Sequence, residues 1–347
     1  MHFVYSSAPA RVIFGRGTIA HAATELARLG VNRALVLTTP GHADQGHALG
    51  LGVGVFAGAV MHTPVGVTAH ALEVMRGLGA DGVVALGGGS TIGLAKALAV
   101  RTGVPQLAIP TTYAGSEMTP ILGETEDGKK TTRRSPDILP EVVIYDVDLT
   151  LDLPPAISGT SGINAIAHAV EALYAQDANP ITSLMAEEGI AALARALPVL
   201  VDEPRDVAAR TDALYGAWLC GTCLGTVGMA LHHKLCHVLG GAFDLPHADT
   251  HTVVLPHAAA YNALVAPTAM AKIARALGAR SAPHGLFDLA RRVGARRGLA
   301  ELGMPASGIE HVTDLAMQSP YWNPRPLERD PIRDLIARAY AGEEPDA

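Results

Sequence analysis

Cysteine is scarce in this chain. Three residues in 347 are an odd number and do not make a disulfide framework. Positive charge is also in deficit. A formal net charge of -7 argues against a nucleic-acid partner, because such proteins carry basic faces. It also means that an anionic substrate must be caught by local basic groups. Long hydrophobic runs are missing: the most apolar stretch, residues 49–61, is broken by glycines and alanines and is too short to span a bilayer. Met1-His2-Phe3-Val4-Tyr5 has neither the basic nor the apolar region of a secretory signal. These absences predict a cytoplasmic protein with neither membrane nor nucleic acid as a partner.

What is present is apolar material and glycine. Hydrophobic residues make up 49% and charged residues 17%, with 37 glycines, enough to fill two cores in a chain too long for one of ordinary size. Residues 34–39, 53–56, 82–86, 107–110 and 142–145 read as buried strands, and 91–100 as a helix. Apolar runs that alternate with helical ones predict a parallel sheet flanked by helices. After Pro154-Pro155 the periodicity is helical alone, over residues 164–174, 183–200 and 207–221. We therefore expect an α/β domain over residues 1–153 and an all-helical domain over 154–347.

The strand at 82–86 runs into Gly87-Gly88-Gly89-Ser90 and then a helix. Glycines let the backbone approach a ligand, and the free N–H groups at a helix start favour an anion such as pyrophosphate. The motif is not the G-x-G-x-x-G fingerprint of ordinary Rossmann domains. It gains weight from a second polar loop after the next strand, Pro110-Thr111-Thr112-Tyr113-Ala114-Gly115-Ser116-Glu117-Met118-Thr119. Open α/β sheets bind ligands at the carboxyl ends of successive strands, which makes this domain Rossmann-like and dinucleotide-binding. At the end of the 34–39 strand, in Thr38-Thr39-Pro40-Gly41, Thr39 stands where an acid selecting NADH would be expected. That predicts tolerance of NADPH as well as NADH.

The helical half carries clustered histidines. Asn164 and His168, and His233 and His237, are spaced i, i+4 on one helical face. His247 follows after a short turn, and such sets can converge on a metal or a reacting group. His232, His251 and His257 read as structural, since a lone helical histidine is more often that than a ligand. Cys220-Gly221-Thr222-Cys223 has redox or metal spacing, but its apolar helical setting reads as small packed residues.

In order, Phe14-Gly15-Arg16-Gly17, Gly87–Ser90, Pro110–Glu117, Leu139-Pro140, Pro154-Pro155 ahead of 162–168, and His233 with His247 make a specific set. With it the chain resembles the iron-containing alcohol dehydrogenase superfamily, whose architecture dehydroquinate synthase shares, over nearly its whole length. The resemblance implies that Asn164, His168, His233 and His247 match a site where an Asp and three His hold iron or zinc. Asn164 replaces the acid, so the site is expected to be vestigial, with no tightly bound metal. His237 matches a histidine close to the nicotinamide and substrate. Within the superfamily the likeness is to the maleylacetate reductases, on Asn164, Met61–Val65, residues 228–237 and 323–326.

That likeness implies NADH- or NADPH-dependent reduction of a carbon–carbon double bond in a small dicarboxylate, by a homodimer. Gly87, Gly88, Gly89 and Ser90 would hold pyrophosphate, and Thr38, Thr39, Thr111, Thr112, Ser116, Thr119 and Lys130 the rest of the dinucleotide. His168, His233, His237, His247 and Lys234 would be catalytic, with Tyr113, Asn164 and Arg325 at the substrate. Three rivals remain. A metal-dependent alcohol or polyol dehydrogenase of the same superfamily would lose activity to chelators. A non-catalytic dinucleotide-binding protein would bind cofactor without turnover. A dehydroquinate-synthase-like lyase would need a fuller set of zinc ligands.

Overall fold

The computed structural model describes residues 3, 5, 11–126, 129–318 and 321–346, with the backbone alone at 129 and 130. The chain forms two compact units that part between Asp152 and Leu153.

The N-terminal unit comprises β1 (Arg11–Gly15), α1 (Ala22–Arg28), β2 (Ala34–Leu37), α2 (Ala43–Ala48), β3 (Gly52–Phe56), α3 (Val65–Leu78), β4 (Gly82–Gly87), α4 (Gly89–Thr102), β5 (Gln106–Pro110), β6 (Ile121–Glu126), β7 (Lys129–Arg134) and β8 (Val142–Asp146). Six strands make a parallel sheet in the order β1-β8-β5-β4-β2-β3. Strand residues alternate between its faces. Leu35, Leu37, Val83 and Ala85 pack with Ile92, Leu94 and Leu98 of α4, while Val36, Val84, Leu86, Leu107 and Ile144 fill the opposite core. Each such valine, leucine or isoleucine, fully buried, contributes about 1.5–3 kcal/mol. The chain leaves β2 toward β3 on one side and returns as β4 on the other, so the order reverses at β2. Open sheets bind ligands at such a reversal, and both Thr38-Thr39 and the glycine turn lie at its carboxyl end.

Five expected strands are present with shifted ends. Strand β1, the helices α1, α2 and α3, and the antiparallel hairpin β6–β7 were not individually anticipated. The hairpin's second strand, Lys-Lys-Thr-Thr-Arg-Arg, has no apolar alternation to betray it. Lys129 and Lys130 open this strand.

The C-terminal unit is helical among the described residues: α5 (Pro155–Leu173), α6 (Pro180–Asp202), α7 (Val207–Thr226), α8 (Leu231–Phe243), α9 (His247–Ala263), α10 (Pro267–Leu277), α11 (Ala282–Arg292), α12 (Gly308–Gln318) and α13 (Arg329–Ala341). Asn179 and Asp206 cap α6 and α7 by accepting from Thr182 N and Ala209 N. Arg210, fully buried, donates to Pro204 O, Ser158 Oγ and Leu153 O, tying α7 to the start of α5. Cys220 and Cys223 are free and buried, and burial pushes the Cys223 thiol up to about 12, which suits inert packing rather than redox chemistry. No single described helix is long and apolar enough to cross a membrane.

Candidate active site

In the N-terminal unit the glycine turn is shaped by what a side chain would strike. Gly87 has φ 151°, and a Cβ there would lie 2.5 Å from Thr91 Oγ1. At Gly88 it would lie 3.0 Å from both the methyl and the hydroxyl of Thr112. Gly88 caps α4, its carbonyl accepting from Thr91 N and Ile92 N at 3.1 Å. The N–H groups of Gly89 and Ser90 have no earlier helical carbonyl to bond, so the turn presents donors at the positive end of the helix dipole. Thr111 N donates to Gly87 O at 3.1 Å, which joins the hydroxyl loop to the turn. Bare backbone over a helix start is the cradle a pyrophosphate needs, so these residues fit a dinucleotide.

Not every expected contact is available. Thr38 is fully buried, which leaves Thr39 alone at the end of β2, its hydroxyl 2.8 Å from His42 Nδ1. Tyr113 has no exposed surface. Thr119 is also buried, its hydroxyl donating to Ser116 O and accepting from Lys96, so it shapes the loop instead of offering a hydroxyl to ribose. Thr112 and Ser116 remain half-buried. The side chain of Lys130 lies outside the described residues.

Sequence reasoning passed over two buried charges under this loop. Lys96 Nζ lies 2.5–2.9 Å from Ser116 O, Thr119 O, Thr119 Oγ1 and Ile121 O. Burial lowers its ammonium to about 7, against the opposing charge of Glu117. Glu117, itself pushed up by burial, accepts from the Tyr145 hydroxyl at 2.8 Å.

In the C-terminal unit α5, α8 and α9 bring imidazoles together. The His168 and His233 rings have centroids 5.1 Å apart, His233 and His251 4.9 Å, His247 and His251 4.2 Å, and His237 and His247 6.4 Å. Asn164, His168 and His233 are buried, whereas His237 and His247 are exposed. Asn164 Oδ1, His168 Nδ1, His233 Nε2 and His251 Nε2 are buried without a hydrogen-bond partner, so the cluster is shaped to receive a polar guest. Burial, with His233 and His247 adding, holds the His168 imidazole well below its ordinary range.

His232 and His251, read from sequence as structural, belong to this cluster. His232 Nε2 is 3.0 Å from His251 Nδ1, and burial lowers both imidazoles well below the usual range. Ligand atoms of His232, His233 and His251 lie within 4.8 Å of one another. Glu171 was missed as well. Fully buried, its Oε2 is 2.7 Å from His233 Nδ1 and accepts from Ala230 N, while Oε1 accepts from His232 N. It therefore fixes the His233 ring and closes the open start of α8.

Two expected cations rest on aromatic rings. Lys234, one residue and so about 100° round the helix from His233, sets its ammonium 5.5 Å from the Tyr321 ring centroid. Arg325 stacks on Tyr261, 4.2 Å from the centroid, and donates to Tyr261 O. Tyr261 is ten residues along α9 from His251, about 15 Å of helix, so Arg325 does not join the imidazoles.

Two sequence profiles match the chain: "Iron-containing alcohol dehydrogenase" over residues 9–147 and "Fe-containing alcohol dehydrogenase family, C-terminal" over 158–340. The maleylacetate reductase of Rhizobium sp. (strain MTP-10005) is 56% identical over 99% of both chains, and that of Burkholderia cepacia 57% over the same shares. The crystal structure of maleylacetate reductase from Agrobacterium tumefaciens superposes with a TM-score of 0.96 at 58% identity, covering 99% of this chain and 100% of that one. An iron-containing alcohol dehydrogenase from Corynebacterium glutamicum gives 0.95 at 40%, covering 100% and 98%. With a nucleotide cradle in one unit and an imidazole cluster in the other, the chain belongs to the iron-containing alcohol dehydrogenase family.

Proposed function

We propose that the chain is a maleylacetate reductase that uses NADH or NADPH and works without a resident metal. Full-length identity above one half with enzymes of that name carries the reading. A bound reduced nicotinamide supplies hydride to the alkene carbon β to the ketone, and one proton completes the conversion of maleylacetate to 3-oxoadipate.

The protein's task is then to stabilise negative charge on the ketone oxygen as the enolate forms, and to place a proton on the α carbon. His168, kept neutral by burial, serves as a hydrogen-bonding wall. The proton and the charge stabilisation fall to His233, His237 or His247. Glu171 holds the His233 Nδ1 edge, which turns Nε2 toward the cluster. The exposed imidazoles of His237 and His247 are the groups an incoming dicarboxylate meets. Thr39, a neutral residue at the end of β2, leaves room for either cofactor.

The donor set does not fit a tightly held dication. Asn164 offers an amide oxygen where the family has an acid, and His168, His233 and His251 add ring nitrogens but no anionic ligand. Glu171, the carboxylate beside them, is committed to three N–H groups. An enolate can be stabilised by an imidazolium, whereas polarising an isolated carbonyl or alkoxide asks more of a Lewis acid. The experiment is NADH oxidation by chelator-treated protein given maleylacetate. Turnover that needs no added metal is expected. Turnover that returns only with Fe²⁺ or Zn²⁺ would overturn the metal-free reading, and no turnover at all would overturn the substrate.

A further inference from the structure

Lys96 sits two turns into α4, seven residues past Gly89 and so about 10 Å from the glycine turn. It has no exposed surface. Its ammonium meets Ser116 O at 2.5 Å, Thr119 O at 2.8 Å, Thr119 Oγ1 and Ile121 O at 2.9 Å, and Ser116 Oγ at 3.3 Å. An ammonium has three N–H donors, so these oxygens of residues 116–121 share one hub. The other end of the loop is already fixed, by Thr111 N on Gly87 O and by Thr112 against Gly88. The hydroxyl loop is thus fastened to the glycine turn at its start and to the same helix at its finish. Without the ammonium, the carbonyls of Thr119 and Ile121 would lose this donor, while Ser116 O would keep Thr119 N and the Thr119 hydroxyl.

We propose that Lys96 is a positioning residue for the dinucleotide: by gathering residues 116–121 onto α4, it sets the spacing between the glycine turn and the hydroxyl loop that hold the cofactor. This rests on the nucleotide-binding reading of those two segments. Lys96 touches neither cofactor nor substrate. It acts through Ser116 and the loop it holds.

The test is NADH binding to the full chain, followed by nucleotide fluorescence, in Lys96→Ala and Lys96→Met. Each variant should melt cooperatively and bind NADH about 10- to 100-fold more weakly, because only a fraction of molecules then holds the loop in a competent state. n-Propylammonium should refill the space in Lys96→Ala and restore binding to within about threefold of wild type, but should not restore Lys96→Met, whose stem occupies that space. Undiminished NADH affinity in a folded variant would overturn the proposal. So would failure of the amine to rescue Lys96→Ala. If neither variant folds, Lys96 serves the whole unit and the positioning role is lost. Maleylacetate takes no part in the measurement. A wild-type protein that binds NADH but does not reduce maleylacetate loses its substrate assignment and keeps this proposal, and one that does not bind NADH loses both.

Discussion

Replacing Glu171 with glutamine keeps its shape and removes its charge, and the geometry dictates the consequence. Three N–H groups point at the carboxylate: His232 N at Oε1, and Ala230 N and His233 Nδ1 at Oε2. A glutamine has one oxygen and one NH₂. If the NH₂ takes the Oε2 side, it opposes Ala230 N, and His233 must shift its proton to Nε2. If it takes the Oε1 side, it opposes His232 N. In either pose one buried backbone N–H is orphaned, costing about 1–3 kcal/mol, and the surviving bonds lose their charge assistance, about 1 kcal/mol each. The total is about 3–5 kcal/mol. For a melting unit of this size each kcal/mol moves Tm by about 2–4 °C, so Glu171→Gln should melt about 6–20 °C below wild type. Differential scanning calorimetry of the two proteins side by side is the assay. A shift under about 2 °C would mean that the carboxylate does not hold the start of α8 as the geometry requires.

Three further outcomes follow from the same structure. Gly87→Ala puts a Cβ 2.5 Å from Thr91 Oγ1 at φ 151°; it should cost about 2–5 kcal/mol in thermal unfolding and weaken NADH in a titration. Acid should destabilise the protein through its buried imidazoles. His257 is lowered to about 4, mainly by burial, so between about 6.5 and 4 the unfolded chain binds a proton that the folded one refuses. Its contribution is complete above about 6.5 and lost as pH falls toward 4, on the order of 3 kcal/mol. His257→Gln should therefore flatten the decline of Tm with pH over that window, and an unchanged slope would clear His257 of the effect. Asn164→Asp restores an anionic ligand beside His168 and His233; it should retain zinc or iron through dialysis, with affinity raised about 100-fold or more, read by elemental analysis against wild type.

The sheet was legible because its inner strands are buried on both faces and so appear as unbroken apolar runs. Edge and hairpin strands such as Arg11–Gly15 and Lys129–Arg134 carry no such run, and nothing local marked them. The glycine turn and the i, i+4 histidines were legible for another reason: their spacing is itself the chemistry. Tyr113, Lys234 and Arg325 were assigned by residue type, and type does not say which way a side chain points. Lys234 is one residue from His233, and that single step turns it toward Tyr321.

The two buried charges that organise the sites left traces that spacing could have caught. Lys96 lies four residues after Ile92 and three before Ala99, inside the buried stripe of α4, and a lysine in such a stripe must be paired with something. Glu171 continues the series Asn164, His168 by three more residues, so all three share one face of α5. What it holds, His233, is 62 residues away in sequence and could be found only by folding the chain. This bears on the missing acid at Asn164. The helix face still carries a buried carboxylate, one turn beyond His168, and that carboxylate is spent on α8 rather than offered to the cluster. Loss of the Asp is therefore not compensated by its neighbour, and the cluster is left with imidazoles and an amide but no free carboxylate. That arrangement suits a reaction whose charge appears only transiently, on an enolate, better than permanent custody of a dication.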